Sequence, residues 1–293
     1  MRESLLYEKK DDGSVICKTC SHYCHINEGK KGICRVRKNH KGKLYVLNDG
    51  RSIASSIDPV EKKPLYHFLP GTRAYSFAAA GCNFKCPWCQ NWRISQQPMR
   101  DGTVAGEEVT PKEHVRYALA HGCASVAYTY TEPTIFLEYA YDTMRLAKKK
   151  NLNNIFVSNG YMSKETLDLI IPYLDAANID LKFFDDETHQ KYTGGKLQPV
   201  IDSIKRLYDE NVHVEITTMI IPGLNDDEKQ LRGIASFIHD DLSDDVPWHV
   251  SRFFPAWKMK DKHPTPVDIM KKARKIGQDI GLKHIHLGNV WEV

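Results

Sequence analysis

Ala74-Tyr75-Ser76-Phe77-Ala78-Ala79-Ala80-Gly81-Cys82-Asn83-Phe84-Lys85-Cys86-Pro87-Trp88-Cys89-Gln90-Asn91 runs an apolar, strand-length stretch straight into a loop with three cysteines. The glycine permits a sharp exit from the strand, and the cysteines follow at once in a CxxxCxxC array. At the C-terminal end of a barrel strand, such a loop lies where βα connections carry active sites. A 4Fe-4S cluster usually takes four Cys thiolates, so three in one compact loop leave an iron open for an exchangeable ligand. An open iron implies chemistry.

From Arg73 onward, short apolar strands alternate with amphipathic helices. The pattern predicts strands at Ala74 to Ala80, Ser125 to Thr131, Asn154 to Ser158, Ala176 to Lys182, His213 to Ile221, Trp248 to Phe254 and His284 to Leu287. The clearest helices are Thr134 to Lys150, Lys164 to Tyr173, Pro199 to Asp209, Asp226 to His239 and Pro266 to Gly281. Such alternation calls for parallel strands with right-handed crossovers, and about six or seven units make an α/β fold, a partial or full parallel (β/α) barrel. In Asn178-Ile179-Asp180-Leu181-Lys182 and Val212-His213-Val214-Glu215-Ile216-Thr217 apolar and polar residues alternate strictly. Asn178, Asp180, Lys182, His213, Glu215, Thr217 and Met219 are therefore expected to point into a polar lumen, with the Ile and Val side chains packed outward on the helices. The alternative is a sheet covered on one face only, which helices between the strands disfavour.

Residues 1–72 read as a small irregular Cys-rich lobe and residues 73–293 as the barrel domain. The lobe is expected to hold a strand pair near Leu44 to Leu47 and Ser52 to Ile57. Its Cys17-x2-Cys20-x3-Cys24-x9-Cys34 set supplies enough thiolates to close either a zinc site or a second Fe-S cluster; His22 and His25 are candidate substitute ligands, with a nearby polar role as the alternative. Four free thiols are the alternative. Cys123, between Ala and Gly neighbours at a strand entrance, reads as an inert buried thiol.

Charged residues make up 27% of the chain and the formal net charge is +4, from 41 basic against 37 acidic residues. With 41% hydrophobic residues that composition argues against wholesale disorder, and the charge balance does not call for a nucleic-acid partner. No run approaches the roughly 18 apolar residues of a membrane span, and Met1-Arg2-Glu3-Ser4 lacks a secretory apolar region. A cytoplasmic protein is expected, whose 8 cysteines serve metals, with disulfides as the alternative.

The cysteine loop, with Trp88 just before its third cysteine and a strand before its first, resembles the radical S-adenosylmethionine (SAM) superfamily. Together with Asp58-Pro59-Val60-Glu61-Lys62-Lys63-Pro64-Leu65-Tyr66-His67-Phe68-Leu69-Pro70-Gly71, Asn178 to Lys182 and the Cys-rich N-terminus, it is similar to the AmmeMemoRadiSam-system radical SAM enzymes, relatives of pyruvate formate-lyase-activating enzymes. The resemblance implies that Cys82, Cys86 and Cys89 hold a 4Fe-4S cluster, that SAM chelates the remaining iron, and that a 5'-deoxyadenosyl radical abstracts hydrogen from a substrate. Trp88 would lie beside the cluster or the adenine. Tyr128-Thr129-Tyr130-Thr131-Glu132-Pro133 stands where the superfamily carries Gly-Gly-Glu-Pro, so Thr131 and Glu132 would face the methionine amino group although both glycines are missing. Glu132 as a helix N-terminal charge is the plainer reading.

By the same resemblance, Ser158 and Asn159 would serve the ribose or carboxylate, and an Asn-Gly turn is the alternative. Asp180 and Lys182 would bind the zwitterionic end of SAM or the substrate, unless they form only a structural ion pair. Met219, Ile221 and the stretch to Asp226 would contact adenine, Asp226 also being a helix cap. His249, Arg252, His284 and His286 are candidate substrate contacts, with a structural role as the alternative for each. The implied partners are a flavodoxin- or ferredoxin-type electron donor and Memo-type and AMMECR-type proteins. Relatives tend to continue into a Cys-containing tail, whereas this chain stops at Trp291-Glu292-Val293, which leaves truncation open. Rival readings are a non-catalytic Fe-S or zinc scaffold or electron carrier, its three-Cys loop completed by Cys123, and a radical SAM enzyme that modifies RNA.

Overall fold

The computed structural model describes residues 2–290. Met1 and Trp291-Glu292-Val293, on which the expectations about the two chain ends bear, lie outside the described residues. At the centre is one sheet of eight strands: β1 (Ala54–Pro59), β2 (Arg73–Ala78), β3 (Ser125–Tyr128), β4 (Asn153–Ser158), β5 (Ala176–Asp180), β6 (His213–Ile220), β7 (Trp248–Arg252) and β8 (Ile285–Gly288). They lie side by side in chain order, β2 to β8 parallel and β1 antiparallel to β2. Among the described residues β1 and β8 do not pair, so the (β/α) barrel is partial and open along one seam.

Helices α1 (Pro111–Ala120), α2 (Leu137–Lys148), α3 (Lys164–Ile170), α4 (Asp186–Thr193), α5 (Gln198–Asp209), α6 (Glu228–Ser236) and α7 (Val267–Ile280) connect the strands. Local chemistry starts several of them: Thr110, Ser163, Asp185 and Asp227 each accept a backbone N–H of the first turn. The cap of α6 is thus Asp227. Asp226, one residue earlier, instead accepts the Gly223 N–H at 2.8 Å and closes the turn after β6. Val126, Ile179, Ile216 and Val250 of the strands share one buried core with Met144, Ile204, Leu207 and Ile234 of the helices, each such side chain contributing roughly 1.5–3 kcal/mol on burial.

The polar strand faces are largely occupied by the chain itself. The segment after β1 crosses the end of the barrel where the strands begin: Asn178 Nδ2 donates to the Pro64 carbonyl (2.7 Å), and Glu215 accepts the N–H groups of Tyr66 (3.0 Å) and His67 (2.9 Å). Val60 and Leu65 of this plug pack on Ala74, Ala127, Ile155 and Ala176. The lobe consists of two three-stranded antiparallel sheets of very short strands. Lys43–Val46 pairs with Arg37–His40 and Arg2–Glu3, so it is not the partner of β1. That strand leaves the lobe and covers the edge of β2, whose backbone groups would otherwise be unpaired. No helix among the described residues is long and apolar enough to cross a membrane.

Candidate active site

The cysteine loop leaves β2 through Gly81, which stands at φ +112°. A β-carbon there would lie 3.0 Å from Val36 Cγ1 and 3.2 Å from Ile135 Cδ1, so both conformation and space call for glycine. Beyond it, donors gather at the sulfurs. The Phe84 N–H donates to Cys82 Sγ (3.4 Å), Asn159 Nδ2 lies 3.8 Å from the same atom, and Ser95 Oγ is 3.2 Å from Cys89 Sγ. These donors suit sulfur that carries negative charge. Burial opposes ionisation: it pushes Cys86 up to about 12, against the pull of Lys182, and raises Cys82 and Cys89. Such thiols ionise readily only when a metal replaces the proton.

A pocket of about 600 Å3 opens on this loop. Cys82, Cys86, Trp88 and Cys89 line one side of it. Thr131, Ser158, Asn159, Asp180, Lys182 and Met219, at the C-terminal ends of β3 to β6, also line it. Lys182 Nζ is 2.8 Å from Asp180 Oδ2. Burial pulls its ammonium down, but Asp180 and the Cys86 sulfur outweigh that and hold it above its ordinary value. The charged pair therefore sits beside the loop, within electrostatic reach of the Cys86 and Cys89 sulfurs. Among the described residues no three Cys, His, Asp or Glu side chains already meet at the spacing of one bound ion; a cubane needs no such convergence, because each thiolate takes its own iron.

Glu132 and Ile221 lie behind the pocket wall. Fully buried, Glu132 accepts the Thr134 N–H (3.0 Å), the Ser158 hydroxyl (2.8 Å) and the Asn159 N–H (2.9 Å), tying the end of β3 to the end of β4. Burial pushes its carboxyl up despite these donors. The Ile221 N–H goes to Asn225 Oδ1 at 2.7 Å, and Asn225 Nδ2 donates back to the carbonyls of Lys182 and Met219. Asn159 holds the local turn, donating to Asn83 Oδ1 (2.8 Å) and accepting the Tyr161 N–H. Tyr130, in place of a glycine, adopts φ +63°, a conformation costing roughly 1–2 kcal/mol in an L-residue. Its carbonyl accepts Asn91 Nδ2 at 2.7 Å, which locks the cysteine loop to the end of β3.

Among the pocket residues not foreseen from the sequence as site groups are Lys63 and Tyr66 of the plug and Thr129 after β3. Lys63 Nζ is 2.9 Å from Asp58 Oδ2 and 4.9 Å from the centre of the Tyr130 ring. The only signal was that they fall in or beside motifs noted for resemblance. His249 does line the pocket, with its Nε2 2.6 Å from Glu215 Oε2. Arg252 Nε donates instead to the Thr265 carbonyl, and His284 and His286 pack on His67, all three outside the lining. Cys123 is buried at the entrance to β3, the opposite end of that strand from the cysteine loop, and is not placed to complete its ligand set. The lobe cysteines line a separate cavity.

Comparison with known proteins accords with this geometry. The profile of the Radical SAM superfamily matches residues 78–232. The uncharacterized protein MJ0808 of Methanocaldococcus jannaschii is 41% identical over 290 residues, covering 99% of this chain and 86% of that one. Pyruvate formate-lyase 1-activating enzyme of Escherichia coli (strain K12) is 28% identical over 181 residues, 58% of this chain and 70% of that one. Among solved structures, a radical SAM methyltransferase from Sphaerobacter thermophilus shares the fold with a TM-score of 0.58 at 15% identity, covering 76% of this chain and 68% of that one.

Proposed function

The chain belongs to the radical SAM superfamily and is related to pyruvate formate-lyase-activating enzymes, and from that premise we propose that it abstracts hydrogen from a protein partner, in the manner of an activase. A radical SAM enzyme works with a 4Fe-4S cluster and SAM and needs a reductant. Held by Cys82, Cys86 and Cys89, a 4Fe-4S cluster would supply the single electron that reductive cleavage of SAM to methionine and a 5'-deoxyadenosyl radical requires. The protein's own work is binding, orientation and exclusion of water.

The observation that carries this reading is the three-cysteine loop and the Asp180–Lys182 pair sharing one pocket. Cys82, Cys86 and Cys89 would hold the cluster. Lys182 offsets the negative charge of their sulfurs, and Asp180 receives an ammonium group. Thr131, Ser158 and Asn159 offer polar contacts, while Trp88 and Met219 supply apolar wall against a base. Glu132 and Ile221 hold the strand ends from behind. A protein target is supported by the activating-enzyme kinship and by the open seam beside the pocket. In this reading residues 1–72 are a metal-binding lobe that lends β1 and the plug to the barrel of residues 73–293. The branch is the AmmeMemoRadiSam one, with Memo-type and AMMECR-type proteins as partners, a flavodoxin- or ferredoxin-type donor and the cytoplasm as its compartment.

The test is anaerobic cluster reconstitution followed by dithionite and SAM. Release of 5'-deoxyadenosine is expected, lost in Cys82→Ala, Cys86→Ala and Cys89→Ala and retained in Cys123→Ala. No 5'-deoxyadenosine from fully loaded protein overturns the reading in favour of a scaffold. Protein activation is then checked with each candidate partner by electron paramagnetic resonance, where a new protein radical is expected only with SAM and reductant present.

A further inference from the structure

On the lobe side of the cysteine loop, Cys17, Cys20, Cys24 and Cys34 line one small cavity of about 10 Å3, room for about one atom-sized sphere. All four are unbridged, and all but Cys24 are buried. Two other residues of the same wall carry unanswered polar atoms: Thr19 Oγ1 and Arg37 Nε are buried without a hydrogen-bond partner, and both residues are only 1% exposed. The rest of the Arg37 guanidinium is engaged, Nη1 donating to Ser4 Oγ and Nη2 to Glu138 Oε2. A buried donor left unpaired costs about 1–3 kcal/mol. A neutral thiol is a weak acceptor and relieves little of that cost. A thiolate, being charged, is a better one.

We propose that Cys17, Cys20, Cys24 and Cys34 bind a single zinc ion as thiolates, with Thr19 Oγ1 and Arg37 Nε donating hydrogen bonds to the bound sulfurs. Binding releases the thiol protons, and the cationic Arg37 offsets part of the negative charge that four thiolates place on the ion. As it stands the cavity has room for about one ion, which favours zinc over a second cluster. The sulfurs surround the cavity without meeting at a point, and ligation draws them in to about 2.3 Å from the metal. The lobe needs such a staple. Its separate apolar cluster is Val15, Cys17, Ile26 and Leu44 with Tyr7 and Cys24 against them, while Cys34 and Val36 join the barrel core, a small centre for strands of two to four residues.

The position gives the ion a role beyond the lobe. The Cys34 carbonyl oxygen is 3.6 Å from where a β-carbon on Gly81 would stand, and His22 Nε2 is 3.0 Å from the Asn83 carbonyl oxygen. Cys20 pairs with Met162 in an isolated bridge. The closed zinc site therefore braces the base of the cysteine loop and the turn after β4 without touching substrate.

The experiment uses the full chain with Cys82, Cys86 and Cys89 all changed to alanine, so that the loop holds no iron. Elemental analysis is expected to find one equivalent of zinc after purification and no iron after anaerobic loading with iron and sulfide. Growth with cobalt is expected to give the visible d–d bands of a tetrahedral thiolate site, abolished by adding Cys17→Ser with Cys34→Ser. Iron and sulfide taken up in place of zinc, or a metal-free protein whose lobe thiols all react with maleimide, would overturn the proposal. A separate check keeps all ligands: Thr19→Val is expected to speed zinc release to a chelator about tenfold, and an unchanged rate would remove the donor from the site.

Discussion

A side chain at position 81 would meet two obstacles at once. Gly81→Ala places an L-residue at φ +112° and pushes its methyl group onto Val36 and Ile135. The first effect alone costs roughly 1–2 kcal/mol, and the second forces the lobe away from the cysteine loop. We expect a lower thermal midpoint together with less iron retained per chain after reconstitution; a variant matching the native protein in both would show that the loop tolerates a wider exit. Lys182 sets a different balance. Its ammonium is the cation that opposes the effect of burial on Cys86, so Lys182→Met, of similar reach and no charge, raises the Cys86 thiol further and leaves Asp180 unpaired. Iron release to a chelator should quicken about tenfold, equivalent to about 1.4 kcal/mol, and cluster assembly should need a higher pH. Equal release rates would mean that Lys182 serves only Asp180.

The plug after β1 hangs on one carboxylate, and its acid response follows. Burial would raise the Glu215 carboxyl, but the rings of His213 and His249 and the N–H groups of Tyr66 and His67 reverse this and hold it at about 2. A carboxyl depressed in the folded state contributes stability that is complete above its unfolded value near 4.3 and is lost as pH falls toward 2, about 3 kcal/mol in all. Glu215→Gln should therefore lower stability by about that much at neutral pH, with variant and native converging in acid, as read from denaturant midpoints across pH. His286, lowered by burial to about 4, adds an earlier loss as pH falls from the usual histidine range, and this part should survive in the variant. Equal midpoints at neutral pH would show that the plug is held by Val60 and Leu65 instead.

The same elements show what the sequence could and could not convey. Strands β2 to β8 were legible because two-residue alternation and the helices between them are local signals. The plug has neither, and its contacts with Asn178 and Glu215 span over a hundred residues of chain. The polar faces were read correctly as inward, yet what they hold is partly the chain itself. Glu132 and Ile221 sit next to pocket residues in sequence but are buried outside the pocket lining, a distinction made at a strand end, where regular alternation has already stopped.

For the molecule as a whole, the decisive joint lies between lobe and barrel. Glu138 of α2 is fully buried and faces the lobe: its oxygens accept from Arg37 Nη2 at 2.7 Å, Arg37 Nη1 at 3.0 Å, Ser4 Oγ at 2.9 Å and the Leu5 N–H at 3.0 Å. Burial raises this carboxyl, and Arg37 more than offsets it, so the folded protein holds it below its ordinary value. A buried pair of this kind contributes little net stability, because desolvating both ions opposes their attraction, but removing one partner leaves the other charge stranded. Glu138→Gln is accordingly expected to cost about 3–5 kcal/mol, while Glu138→Gln combined with Arg37→Met recovers part of that loss. Because the stranded guanidinium lies on the lobe, early proteolytic cuts should fall within residues 2–50 and leave a resistant barrel fragment. Denaturant midpoints of the single and double variants, with mapping of the first cuts, test this. A loss below about 1 kcal/mol, or cuts spread evenly along the chain, would mean that the lobe is fastened mainly through its contacts with the turn after β4, where Ser163 and Thr166 donate to the carbonyls of Lys18 and Thr19.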